Sequence, residues 1–290
     1  MPIVESNECY ANHMGPWLME TRWLSNAVNA INAGAWQARE HDDEEELRRM
    51  RRLNVQDGVA MIPVAGPMMK ERSKFGGTST ILTRRLVREA ASTDRVKAIM
   101  LHIESPGGSV DGTQELAHEV ARANAAKPVF AHIADIGASA AYWVASQARR
   151  ITANQTASVG SIGVVGVIED SSKAAEEAGF TVHVISSGEF KGAGAPGTEI
   201  TQDMLDHWQA IVDGTHEIMA SEIASGRRMS RRRVDESADG RVFLSDDALQ
   251  RGLIDGVADF DEAFAAVVRQ VKRDENKRNR RAREIDMGLT

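Results

Sequence analysis

Two short glycine-flanked segments carry residue types that suit acyl transfer. The first, Ser-Pro-Gly-Gly-Ser-Val at 105–110, follows a strand-like run of apolar residues. A Pro-Gly-Gly turn after a strand can aim backbone N–H groups at a ligand, because proline fixes φ and glycine has no Cβ. The second, Gly-Ala-Ser-Ala-Ala-Tyr-Trp at 137–143, sets Ser139 among small residues where a strand is expected to turn into a helix. The pair indicates an oxyanion-binding turn and a hydroxyl nucleophile, which still need a base.

The chain offers two kinds of side chain as that base. The eight histidines lie in expected strands, in expected helices or in the N-terminal region, and such histidines are more often structural. Lys191 differs, because it follows an expected strand at 181–186 and stands in the glycine-flanked segment Gly-Glu-Phe-Lys-Gly at 188–192. A lysine becomes a base only where burial brings its pKa, about 10.4 when unperturbed, toward neutrality. On spacing alone, an exposed loop lysine remains the commoner interpretation.

The elements that must position these residues alternate between strand and helix. Mostly apolar runs are typical of buried parallel strands, and strands that alternate with helices predict an α/β domain with parallel pairing. A long helix is expected over about 201–225, and two short strands over 151–168. The other expected strands lie at 59–64, 96–103, 129–134 and 253–255, and the other expected helices at 80–91, 110–125, 139–148 and 245–252.

The N-terminal region differs in composition from the rest. Trp17, Trp23 and Trp36 share a pattern that predicts an amphipathic helix near 17–38, and the charge-dense residues 39–52 predict a helical linker. The predicted organisation is therefore an N-terminal helical extension with a charged linker (1–54), one catalytic domain (55–265) and a charged C-terminal tail (266–290).

Composition excludes several classes of protein. The net charge of −7 argues against nucleic acid as a partner, and the single cysteine, Cys9, rules out an internal disulfide framework. No run of apolar residues is long enough to span a membrane, and the N-terminus lacks the pattern of a secretory signal. No metal or cofactor motif is evident, so we expect a cytoplasmic protein without a cofactor.

The order of six motifs resembles the signal peptide peptidase A family of serine peptidases. The resemblance covers roughly residues 55–265, and it implies the caseinolytic-protease/crotonase fold with repeated β-β-α units and a Ser/Lys catalytic dyad. The motifs are Ser-Pro-Gly-Gly-Ser-Val (105–110), Lys-Pro-Val (127–129), Gly-Ala-Ser-Ala-Ala-Tyr-Trp (137–143), Val-Gly-Ser-Ile-Gly-Val (159–164), Ser-Gly-Glu-Phe-Lys (187–191) and Ala-Leu-Gln-Arg-Gly-Leu-Ile-Asp (248–255).

Each role of the family's site then falls on a residue of this chain. The resemblance implies that Ser139 is the nucleophile, that Lys191 is the general base and that the Ser161 hydroxyl orients this lysine. It further implies that the N–H groups of Gly108 and Ala140 form the oxyanion hole. The family commonly has Gly-Gly after the nucleophile, whereas this chain has Ala-Ala at 140–141. A backbone N–H survives that change, but the pocket could be narrower.

Two alternatives stay open beside a Ser/Lys peptidase, and the sequence weighs against a third. A caseinolytic protease of the same fold would use a Ser-His-Asp triad, but the matching segment, roughly 153–170, has no histidine. A crotonase-type acyl-CoA enzyme would share the fold and the stabilisation of an oxyanion by backbone N–H groups, without needing a Ser/Lys pair. A catalytically degenerate homologue could serve as a structural ring or scaffold protein, although this chain retains Ser139, Ser161 and Lys191 together.

The resemblance also implies an assembly and a biological setting. Single-domain members form homo-oligomeric rings in which Ser and Lys can come from neighbouring subunits. The Trp-rich N-terminal region and the charged tail are similar to those of phage and prophage capsid-maturation proteases, which trim scaffold and coat proteins inside proheads. This favours a capsid-maturation role, in the host cytoplasm or the prohead, over that of a general cytoplasmic peptidase. In either role the substrate is a polypeptide.

Overall fold

The structure, a computed structural model, describes residues 17–19, 52–71 and 76–286. Within these ranges the chain forms two units. One is built on Val164–Ile218, and the other on the described parts of Leu18–Gly163 and Met219–Thr290. The single catalytic domain predicted at 55–265 therefore includes a stretch, Val164–Ile218, that forms a unit of its own.

Short strands and helices alternate along the described residues. The strands are β1 (Trp17–Met19), β2 (Asn54–Gln56), β3 (Val59–Ala65), β4 (Met68–Met69), β5 (Thr78–Ser79), β6 (Ala98–Ser105), β7 (Gly107–Ser109), β8 (Val129–Ala138), β9 (Arg150–Ala153), β10 (Ser158–Gly160), β11 (Val242–Leu244) and β12 (Gly256–Val257). The helices are α1 (Thr80–Ser92), α2 (Thr113–Ala126), α3 (Ala140–Ser146), α4 (Ser172–Glu177), α5 (Gln202–Arg227), α6 (Arg231–Asp235), α7 (Ser245–Arg251) and α8 (Phe260–Asp286).

An eight-stranded, mostly parallel sheet forms the centre of the larger unit. Its main path runs β11-β10-β8-β6-β3-β2, with β9 beside the first part of β8 and β12 beside β9. The neighbours β3, β6 and β8 pair in parallel, while β2 and β11 at the two ends of the path are antiparallel to their neighbours. Parallel strands connected by helices confirm the predicted α/β class.

The strand β8 bridges two parts of the sheet. Its first half pairs with β9 through Phe130–Ile133, and its second half pairs with β10 through Ile136–Ala138. Both halves share their other neighbour, β6, whose last residue Ser105 is the partner of Gly137. The end of β8 is therefore held from both sides at the point where Ser139 follows.

A smaller sheet of order β1-β7-β4-β5 carries the Pro-Gly-Gly turn. The strand β7 contains two glycines of this turn, and Gly108 pairs in parallel with Met68 of β4. The helix α1 follows β5 directly, and the Ser79 hydroxyl caps it by accepting a hydrogen bond from the Leu82 N–H at 3.4 Å. An N-cap of this kind satisfies one of the free N–H groups of a helix start.

The last helix packs on the sheet through its first half. In α8, Ala263, Val267 and Val271 recur every four residues and contact a core cluster with Val59 and Phe130. This spacing is that of one helix face, so the apolar residues share one side of α8. The predicted boundary between domain and tail, at 265/266, lies inside this helix.

Three sequence-based predictions of local structure differ from the structure. Residues 17–19 form the strand β1 rather than the start of a helix, while the rest of the predicted helix near 17–38 and the linker 39–52, apart from Arg52, lie outside the described residues. No strand forms at 181–186. The apolar residues in that segment stay largely exposed, with Ile185 at 99%. The terminal strand lies at Gly256–Val257, just after the predicted 253–255.

Candidate active site

Ser139 occupies a strained position between a strand and a helix. It directly follows β8 and precedes α3, with φ 54° and ψ −118°, a region that residues other than glycine rarely adopt. Its N–H donates to the carbonyl of Gly160 at 2.7 Å, and its own carbonyl accepts from the Trp143 N–H at 2.9 Å. These two hydrogen bonds hold the strained backbone in place.

The side chain of Ser139 is buried without a hydrogen-bond partner. The residue is 1% exposed, and its Oγ belongs to the few buried side-chain atoms of the described residues that lack any partner. A buried hydroxyl without a partner is unfavourable by roughly 1–3 kcal/mol. Such groups need an explanation, and one explanation is a reactive hydroxyl that awaits its proton acceptor.

Small residues let the backbone around Ser139 pack closely. A Cβ on Gly137 would lie 2.7 Å from Cδ1 of Ile133, so no larger residue fits there without displacement. The helix α3 is buried along its whole length, including the large side chains of Tyr142 and Trp143. The Tyr142 hydroxyl donates to the carbonyl of Leu253 at 2.8 Å. This packing fixes the helix that begins directly after Ser139.

Gly108 fits its position only because it lacks a side chain. A Cβ on Gly108 would lie 1.8 Å from the carbonyl oxygen of Met68, its neighbour in β4. The Ser105 hydroxyl supports the same turn, donating to the Gly66 carbonyl at 2.6 Å and accepting from the Gly107 N–H at 3.2 Å. The turn is thus held against β4 and against the backbone of Gly66, and β7 packs against α3.

Ser161 lies beside the backbone that holds Ser139. It follows Gly160 directly, is 6% exposed and has a positive φ of 49°. Its N–H donates to the carbonyl of Arg241 at 2.7 Å. The larger unit therefore brings Gly108, Ser139, Ala140 and Ser161 to one region, at the ends of β7, β8 and β10.

Lys191 belongs to the other unit, which is built on Val164–Ile218. It is exposed and lies in a turn in which its N–H donates to the Gly188 carbonyl at 3.0 Å. The predicted strand before it does not form, so the lysine is presented by irregular backbone. The turn includes Phe190, whose ring lies against that of His207 in the same unit, with the ring centroids 5.2 Å apart.

A polar cluster behind α3 supports the larger unit. Arg227 donates to Asp255 at 2.8 and 2.9 Å, and the Ile151 N–H donates to the same carboxylate at 2.7 Å. Burial acts to raise the pKa of Asp255, but the hydrogen bonds from Arg227 and Ile151 outweigh it, so the pKa lies below its usual value. Burial raises the pKa of nearby Tyr142, which therefore stays a neutral donor.

One polar residue at the site escaped the sequence analysis. Glu222 of α5 accepts a hydrogen bond from the Trp143 indole at 2.9 Å, across 79 residues of sequence. A single glutamate within an amphipathic helix carries no local signal of such a contact. Only the packing of α5 on α3 reveals it.

The described residues hold no group of three or more His, Cys, Asp or Glu side chains that could bind a metal ion. In the same part of the chain, no helix has both the length and the apolar character that a membrane span requires.

Comparison with known proteins identifies the family. The sequence model of peptidase family S49 matches residues 121–274, which is more than half of the chain and includes Ser139, Ser161 and Lys191. The chain belongs to peptidase family S49. This confirms the resemblance to the signal peptide peptidase A family, since a putative signal peptide peptidase SppA of Enterococcus faecium is also among the similar proteins.

Other relatives of this S49 chain include phage and bacterial proteins. It is 28% identical over 257 residues to capsid assembly protease C of Escherichia phage lambda, covering 84% of this chain and 58% of the relative. It is 30% identical over 218 residues to protease 4 of Salmonella typhi, covering 74% of this chain and 35% of the relative. The chain thus spans less than two thirds of the length of either protein.

Proposed function

We propose that this chain is a serine endopeptidase with a Ser/Lys dyad, in which Ser139 is the nucleophile and Lys191 is the general base. The observation that carries the proposal is the buried, unpaired Ser139 hydroxyl at a strained strand-to-helix junction, in a chain of family S49. We assign the oxyanion hole to the N–H groups of Gly108 and Ala140, and the orientation of Lys191 to the Ser161 hydroxyl.

The first half of the reaction forms an acyl-enzyme. Lys191, once the assembled site has buried its amine and favoured the neutral form, takes the proton from Ser139 as the Ser139 Oγ attacks the scissile carbonyl carbon. The carbonyl oxygen becomes an oxyanion, which the N–H groups of Gly108 and Ala140 stabilise. As the intermediate collapses, the C–N bond breaks and the lysine ammonium returns its proton to the leaving amine.

The second half releases the acyl group. Lys191 takes a proton from a water molecule, whose oxygen attacks the ester carbon and forms a second oxyanion at the same two N–H groups. Collapse breaks the ester bond, and the proton returns to Ser139. The carboxylic acid product leaves, and the hydroxyl and the amine are restored.

The finer fold, the assembly and the role are part of the same proposal. The parallel sheet, with β8 shared between β9 and β10, supports the caseinolytic-protease/crotonase fold. We propose a homo-oligomeric ring with active sites at subunit interfaces, which is the assembly that the resemblance to single-domain members of the family implies. The similarity to the lambda capsid assembly protease and to head-tail preconnector protein GP5 of Enterobacteria phage P21 supports capsid or scaffold polypeptides as substrates.

Chemical labelling tests the core of this proposal. A fluorophosphonate should label the purified protein at Ser139, and the label should be located by mass spectrometry of peptides. Ser139→Ala should lose both the label and the hydrolysis of a fluorescent casein substrate, by several orders of magnitude. Ser92→Ala is the matched control, because the Ser92 hydroxyl is exposed at the end of α1 and donates to the Glu89 carbonyl at 3.1 Å. Full activity of Ser139→Ala would overturn the assignment.

A further inference from the structure

Glu222 connects three helices through one carboxylate. Its Oε2 accepts from the indole Nε1 of Trp143 in α3 at 2.9 Å. Its Oε1 accepts from Gln114 Nε2 at 2.7 Å and lies 2.8 Å from His118 Nε2, both in α2. The side chain is 22% exposed, so most of the carboxylate is shielded from water. A shielded carboxylate with this many donors is held in one geometry.

The Trp143 side chain and the Trp143 backbone act at different places. The indole is bound to Glu222, whereas the backbone N–H donates to the Ser139 carbonyl at 2.9 Å. The Ser139 carbonyl and the Ala140 N–H belong to the same planar trans peptide, so the two groups point in opposite directions. A hydrogen bond that fixes the Ser139 carbonyl therefore also fixes the direction of the Ala140 N–H.

The same stretch of α5 also holds the far end of α3. Gln147, directly after α3, donates through Nε2 to the Glu222 carbonyl at 3.1 Å. Gly226, one turn further along α5, lies so close that a Cβ there would come within 2.4 Å of the Ser146 carbonyl oxygen. α3 is only seven residues long, so contacts at its two ends set its position.

We propose that Glu222 is a positioning residue that aims the Ala140 N–H at the oxyanion through Trp143. This inference rests on the proposed function, because it takes Ser139 as the nucleophile and Ala140 as an oxyanion donor. Glu222 makes no hydrogen bond to the Ser139 hydroxyl and is connected to α3 through the Trp143 indole. A merely structural Glu222 would affect stability alone, whereas a positioning Glu222 affects the transition state more than substrate binding.

The test compares two variants that break the Trp143–Glu222 hydrogen bond, one from each side. Glu222→Ala removes the acceptor, and Trp143→Phe removes the indole N–H while keeping a buried ring. Each should lower kcat on a peptide substrate by roughly 10-fold or more, since small misplacements at a reacting centre are that damaging, with KM changed less than about 2-fold. Affinity for a peptide boronate, which mimics the tetrahedral intermediate, should fall in parallel with kcat.

Three further variants sharpen the result. The double variant Glu222→Ala/Trp143→Phe should be no slower than the slower single variant, because both changes break one interaction. Glu222→Gln keeps an oxygen that can accept from the indole, and it should stay within about 3-fold of the wild type. His118→Ala is the matched control, because it removes a contact of the same carboxylate that does not lead to α3. It should leave kcat within about 2-fold of the wild type.

The outcomes separate this inference from the proposed function. If the wild type labels at Ser139 but Glu222→Ala and Trp143→Phe keep full kcat, the positioning role is wrong and the function stands. Additive losses of kcat in the double variant would also overturn it. So would a fall in kcat that follows the fall in the free energy of unfolding across all variants, the controls included. If Glu222→Ala does not fold, Trp143→Phe breaks the same contact and decides between the two roles. If the wild type fails to label at Ser139, the function and the inference fall together.

Discussion

The Gly160 carbonyl accepts a hydrogen bond from the Ser139 N–H at 2.7 Å, so the end of one strand fixes the backbone of the proposed nucleophile. Both residues have a positive φ, 118° for Gly160 and 54° for Ser139. Two unusual backbone conformations thus face each other across the junction of β8 and β10. The bond explains how Ser139 stays in a conformation that few serines adopt.

Gly160→Ala should reduce activity through this hydrogen bond. The added Cβ would lie 3.0 Å from the Arg241 carbonyl and 3.1 Å from the ring of Phe243, at a φ that favours glycine. The backbone must shift, and we expect kcat to fall roughly 10-fold or more, as for other small displacements at reacting groups. Steady-state hydrolysis of a peptide substrate measures this. An unchanged kcat would show that the bond to Ser139 tolerates the shift.

Gly108→Ala should abolish activity and weaken the smaller sheet. The Cβ would fall 1.8 Å from the Met68 carbonyl oxygen, so β7 cannot keep its pairing with β4. Loss of the oxyanion donor that we propose at Gly108 would by itself lower kcat by about 100-fold or more. Hydrolysis rates and thermal unfolding report both effects. Gly214→Ala is the matched control, because a Cβ in that exposed part of α5 meets nothing within 4 Å. It should leave activity unchanged and stabilise the helix slightly.

Mixing two inactive variants tests the shared active site. Ser139→Ala and Lys191→Ala should each be inactive alone. If the two residues come from neighbouring subunits, mixed rings contain some sites with both wild-type residues, so activity should return to roughly a quarter of the wild-type value for random mixing. Hydrolysis after denaturation and joint refolding measures this recovery. No recovery, in assemblies shown by native mass spectrometry to be mixed, would place both residues in one protomer.

Asp255 should make the larger unit sensitive to acid. Its pKa is lower in the folded protein than in the unfolded chain, so its contribution to stability is present above an unfolded value of about 3.9 and is lost as the pH falls through the folded value. Asp255→Asn should therefore lower the free energy of unfolding at pH 7 by about 1 kcal/mol, because the Asp255 side chain is 33% exposed and solvent screens its pair with Arg227, with a smaller difference at pH 3.

Urea unfolding of both proteins at the two pH values measures this difference. Asp235→Asn is the control, because Asp235 forms an exposed pair with Arg231 on one short helix at 2.7 Å. An exposed pair contributes little, so this variant should match the wild type within about 0.5 kcal/mol. A difference for Asp255→Asn that grew at pH 3 would contradict the assigned direction of the pKa.

Local patterns in the sequence predict the central strands and the position of Ser139 well. The apolar runs of β3, β6 and β8 and the small residues around Ser139 carry their signal within a few positions. The contacts that shape the site do not, because they join residues far apart, such as Ile151 with Asp255 and Trp143 with Glu222. At 181–186 the local pattern misleads instead. Its β-branched residues predict a strand, but the segment forms none.

The unpaired hydroxyl of Ser139 lowers the stability of the chain while it serves the proposed activity. As long as no acceptor reaches Oγ, the isolated chain carries a buried polar group that destabilises it, so Ser139→Ala should unfold at a higher temperature than the wild type. An amine that docks against this hydroxyl relieves the same deficit. The Ser139 hydroxyl therefore makes the separate chain less stable and also lowers the free energy of the arrangement in which it can react. Assembly of the active site would be favourable for the same reason.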